Sequence, residues 1–64
     1  MKVRYDKETD VLYIQFSNNT VVESDSNKPG IILDYDKEEN IVGIEVLNAS
    51  TKMEKPLQFE YEIV

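Results

Sequence analysis

Tyr5-Asp6-Lys7-Glu8-Thr9-Asp10-Val11-Leu12-Tyr13-Ile14 and, thirty residues further on, Tyr35-Asp36-Lys37-Glu38-Glu39-Asn40-Ile41-Val42-Gly43-Ile44 decide the fold. In each, β-branched and aromatic residues alternate with other residues, reach a short polar run opened by Asp, and resume. That is the signature of two strands joined by a turn. The Asp at the head of each run suits it, because its carboxylate can accept the backbone N–H two residues on; Asp10 or Asn40 tolerates the left-handed backbone such turns require.

Working outward, Met1, Val3 and Tyr5 alternate with Lys2 and Arg4 before the first turn. Leu12, Ile14 and Phe16 share a face after it. Around the second turn, Ile31, Leu33 and Tyr35 lead in, and Val42, Ile44 and Val46 share a face leading out. Val21-Val22-Glu23 reads as a short strand ending in the polar run Ser24 to Pro29, and Pro29-Gly30 is a turn signal. Beyond Asn48, Ser50 to Lys55 predicts one helical turn with Ser50 as N-cap, stopped by Pro56. Leu57, Phe59, Tyr61 and Ile63 then alternate with Gln58, Glu60 and Glu62 as a last strand.

The expected fold is mainly β, on the border of α+β: two similar antiparallel hairpins in a meander or part-closed roll of about six strands, with a helical turn near residues 50–55. The chain forms one domain, with an internal repeat covering about 3–20 and 33–50, since a unit with the same turn and the same inward positions is used twice. Pseudo-twofold packing is expected to follow.

Composition narrows the function. With 64 residues the core is thin, so a second subunit is an open route to stability. Seven Lys and Arg against 13 Asp and Glu give a net charge of −6, which repels a phosphate backbone and argues against nucleic acid as a direct partner. No apolar run suggests a membrane span or a signal-peptide core, and the absence of Cys gives no sign of an oxidising compartment; a cytoplasmic protein is expected.

Without His or Cys, the usual nucleophilic triads and the zinc and haem sites have no ligands to build on. Asp6, Glu8 and Asp10 copy the opening of a calcium loop, but Val11 stands where its Gly belongs and Ser17 where its closing Glu belongs. The pairs Glu23/Asp25 and Asp34/Asp36 read more simply as solvated strand faces than as an acid and a base. The expectation is no enzyme, no catalytic residue, no cofactor and no metal.

The pattern Val-x-Tyr-Asp-x-x-x-Asp-Val-Leu-Tyr-Ile at 3–14, with Gly-Ile-Ile-Leu-Asp-Tyr-Asp at 30–36 and Val-Gly-Ile-Glu-Val-Leu-Asn-Ala-Ser at 42–50, resembles the prokaryotic domain of unknown function twenty-two eighty-three. The resemblance implies a small stand-alone protein with no established activity and no catalytic residues to carry over. It also implies, through members that look like neighbours of small toxin-like proteins, a neutralising role. Members often carry Gly late in each turn, where this chain has Thr9 and Glu39.

The residues singled out for partner contact are Val11, Tyr13, Ile32, Ile41 and Leu47, apolar positions between the inward ones, where a half-solvated sheet would be polar. Either the last strand or a curled sheet covers them, which is the favoured reading, or they form a contact surface. The expected partner is a protein or a second copy of the chain. The leading function is an interaction protein, an acidic antitoxin-like partner of a small basic protein. A small-ligand-binding β module using Tyr5, Tyr13, Tyr35 and Tyr61 comes second, and a carboxylate-dependent hydrolase last.

Overall fold

The computed structural model describes residues 1–54 and 57–64. Five strands form one antiparallel sheet: β1 (Lys2–Asp6), β2 (Val11–Gln15), β3 (Glu23–Lys28), β4 (Ile31–Tyr35) and β5 (Ile41–Leu47), in the spatial order β1-β2-β5-β4-β3. The fold is mainly β, as expected. The sheet is neither a simple meander nor a part-closed roll, because β5 lies at its centre between β2 and β4, and β1 and β3 end it. Extents of 36 × 32 × 19 Å fit a single open layer with side chains on both faces.

The repeat explains this order. The second strands of the two hairpins, β2 and β5, pair with Ile14 opposite Ile44, residues one repeat apart. A pseudo-twofold axis therefore passes between the two isoleucines and exchanges β1 with β4.

In both turns the leading Asp accepts the amide two residues on: Asp6 from Glu8 at 2.9 Å, and Asp36 from Glu38 at 2.9 Å. The left-handed residue differs, being Asp10 (φ 57°) in the first turn and Glu39 (φ 68°), not Asn40, in the second. Glu is poorly suited to that conformation and Gly is well suited. Replacing exposed Glu39 by Gly is expected to stabilise the protein by about 1 kcal/mol, raising the thermal midpoint by roughly 4–8 °C in a domain of this size. Calorimetry checks it.

Three expectations from the sequence need correction. The third strand is the polar run Glu23–Lys28 itself, not Val21 to Glu23. It lies at the sheet's edge, where only its backbone must be satisfied, and Pro29-Gly30 (Gly30 φ 81°) folds it onto β4 with Lys28 opposite Ile31. The helical turn is a 3-10 turn over Ala49–Thr51, with Asn48, in a left-handed conformation and without a side-chain capping hydrogen bond, at the N-cap position in place of Ser50. Lys55 and Pro56, the expected end of that turn, lie outside the described residues. Leu57–Val64 forms no strand, which leaves five strands among the described residues rather than about six.

The core is small. Leu12 and Val42 are 2% exposed and Ala49 is fully buried. Two carboxylates pin the segments that cross the ends of the sheet. Asp10 accepts the Tyr5 hydroxyl at 2.6 Å, the Ser50 amide at 2.9 Å and the Ser50 hydroxyl at 2.7 Å, which ties the first turn to the 3-10 turn. Buried Asp36 accepts Asn19 Nδ2 at 2.9 Å and the Asn40 amide at 2.9 Å, which ties the second turn to the loop between β2 and β3.

Candidate interaction face

Register places the side chains in rows across the strands. On one face, Val3, Ile14, Ile44 and Leu33 stand opposite one another in turn, and beside them Tyr5, Leu12, Val46 and Ile31 do the same. Both rows are apolar from β1 to β4, because every second residue of each of the four strands at these positions is apolar and the pleat puts them on the same side. Among the described residues no further strand and no helix longer than the 3-10 turn is present to form a second layer over them. Leu12 is buried between its neighbours, but Val3 and, at the end of β2, Phe16 are 43% and 40% exposed.

The opposite face is mixed. Lys2, Gln15, Gly43, Asp34 and Ser24 form one row, and Arg4, Tyr13, Glu45 and Ile32 the next. A Cβ built on Gly43 would lie 2.6 Å from Tyr13 Cζ and 2.9 Å from Cε1, so the ring lies across the glycine. Asp34 is buried beside them and accepts the Ser24 hydroxyl at 2.6 Å.

The five residues singled out from sequence fall on and around this second face without forming one patch. Val11 stands opposite Leu47, and Tyr13 and Ile32 stand on either side of Glu45. Ile41, 42% exposed, is set apart by a bulge that pairs it with Tyr35. The other four are half-buried. The last segment of the chain does not cover them as a strand: Phe59, Tyr61 and Ile63 are 54%, 90% and 88% exposed. Asp34 and Asp36 are committed to different partners, the first to Ser24 and the second to its turn. Among the described residues no group of three or more acidic side chains is placed to hold a metal ion, and no helix is long and apolar enough to cross a membrane.

The continuous apolar face is the stronger candidate for contact. Its rows were present in the sequence as the inward positions, but only the absence of a covering layer turns them outward.

Charge on the mixed face responds to pH. Burial, then the hydrogen bond to Asp34 and its negative charge, push the Glu45 carboxyl above its ordinary 4.5. Burial, then the charges of Asp34 and Glu45, raise the Tyr13 hydroxyl. Asp10 lies below its ordinary 3.8 through the hydrogen bonds from Tyr5 and Ser50, and Asp36 through those from the Asn40 amide and the Asn19 side chain.

The two directions act oppositely on stability. Folded Glu45 takes up a proton more readily than unfolded Glu45, so stability rises as pH falls from neutral through its raised pKa. Asp10 and Asp36 contribute fully above their unfolded value, and that contribution is lost as pH falls through their depressed ones. The thermal midpoint is therefore expected to be higher at about pH 5 than at about pH 7.5, and to fall below about pH 4. Glu45→Gln should flatten the upper limb and leave the acid limb in place, as read by thermal melts across pH.

The family model described as "Protein of unknown function (DUF2283)" matches residues 2–50, which span all five strands and the start of the 3-10 turn. No curated protein and no solved structure matches the chain. Since the match takes in more than half of the chain and both copies of the repeat, the protein belongs to this family of unknown function.

Proposed function

We propose that the protein is a small cytoplasmic interaction protein, not an enzyme, acting as an acidic antitoxin-like partner that binds a small basic protein. The observation carrying this reading is the two-row apolar face, left open by a single-layer sheet on a chain of net charge −6. An apolar centre with a charged surround is the usual anatomy of a binding patch, and the acidity speeds encounter with a basic partner. The small-ligand alternative has less support, since an open sheet offers no enclosed interior and the tyrosines of the strands are spread over both of its faces.

Co-expression and pull-down with the product of the adjacent gene tests the proposal. Capture at low salt that weakens as salt rises, and that is lost in the Val3→Glu/Phe16→Glu variant, is the expected result. No association at low salt removes the proposal.

A further inference from the structure

We infer that the protein is a reciprocal homodimer in which residues 57–63 of each copy add as a sixth strand to the outer edge of the other copy's β1. The inference concerns an edge of the sheet, so it goes beyond the reading of the apolar face as a docking site.

The pseudo-twofold relation exchanges β1 with β4, and the outer edge of β4 is filled by antiparallel β3, whereas among the described residues β1 pairs only with β2. One of two equivalent edges is thus completed and the other is open, with its backbone N–H and C=O groups available to a further strand.

Residues 57–63 fit that open edge. Laid antiparallel on β1 with Tyr61 opposite Val3, the segment puts Phe59 opposite Tyr5, Glu60 opposite Arg4 and Glu62 opposite Lys2. Tyr61 then extends the row of Val3 and Ile14, and Phe59 extends the row of Tyr5 and Leu12. Both acidic residues meet both cations on the mixed face. A slip by one residue would put Phe59 and Tyr61 on that face, and an antiparallel slip by two would leave one cation without its acid. Opposite charges directly across a strand pair are favourable, so apolar pattern and charge select the same register.

The strand comes from the other copy. In the folded chain the segment does not sit on its own β1: Tyr61 and Ile63 are 90% and 88% exposed, and Leu57–Val64 forms no strand. A chain whose described core has three buried apolar residues gains from a second copy that covers these side chains, and exchange of identical segments is a low-cost route to a dimer.

Two charge-reversed full-length variants, Lys2→Glu/Arg4→Glu and Glu60→Lys/Glu62→Lys, test the arrangement by analytical ultracentrifugation. The wild type is expected to sediment as a dimer. Each variant alone is expected to dimerise about tenfold or more weakly, because like charges then face each other at both exchanged strands. An equimolar mixture of the two should form a heterodimer, since each segment then finds its opposite charge on the other chain. The variant carrying all four changes should dimerise on its own. A monomeric wild type overturns the inference, as does pairing of the segment with its own β1, which would leave the mixture monomeric. A dimer indifferent to the reversals overturns it equally, by placing the interface elsewhere.

Discussion

Replacing Leu12 with Ala is expected to cost about 2–4 kcal/mol, the lower and middle part of the roughly 2–5 kcal/mol range for truncating a buried Leu side chain. Leu12 is 2% exposed, on the inner strand β2, between Tyr5 on β1 and Val46 on β5. Its loss would open a gap in the row that joins the two hairpins. With no second layer closing over that row, water can reach the gap, so the lost transfer free energy of the side chain sets most of the cost. Because a domain this small rests on roughly 3–5 kcal/mol, the variant should be largely unfolded near 40 °C. The control is Val3→Ala, on the same face but 43% exposed, which should cost well under half as much. Chemical denaturation of both variants measures the difference; equal losses would mean that the core does not lie on this face.

The hairpins were legible because two local rules agree in them: period-two alternation sets the strands, and an Asp that can bond the amide two residues on sets the turn. The repeat at an offset of thirty also carried the pseudo-twofold relation, which the Ile14–Ile44 pair expresses. The third strand was not legible, because Ser24, Asp25, Ser26 and Asn27 have poor strand propensity and the strand exists through backbone pairing to β4. Residues 57–63 show the converse. Their alternation is as regular as that of β1, but pairing needs a neighbour as well as a pattern, and alternation alone does not name the neighbour. The site was legible in part for the same reason. Sequence separated the apolar inward rows from the mixed positions, but which face lacks a cover is decided by the order of strands. Tyr13 and Gly43 are also unremarkable apart; the pairing of β2 with β5 brings the ring over the glycine.

That contact gives the second large effect, and one that changes sign with its partner. Gly43→Ala is expected to destabilise by about 1–3 kcal/mol, the cost of forcing atoms into a filled space. The new methyl would meet Cζ of Tyr13 at 2.6 Å, so the ring must leave the sheet. Its departure would also uncover Asp34 and Glu45, whose charges surround the hydroxyl. In a Tyr13→Ser background the space is vacant, and the same Gly43→Ala change should stabilise by about 0.5–1 kcal/mol, because Gly within a strand loses more backbone freedom on folding than Ala. The double-mutant cycle by urea denaturation therefore reads a coupling of roughly 1.5–4 kcal/mol, the difference of those two effects. A penalty for Gly43→Ala that persists in the Tyr13→Ser background would place its cause in the backbone and not under the ring. A penalty that reverses shows that the glycine is there to seat Tyr13, and that the mixed face is packed by this residue rather than held open for a partner.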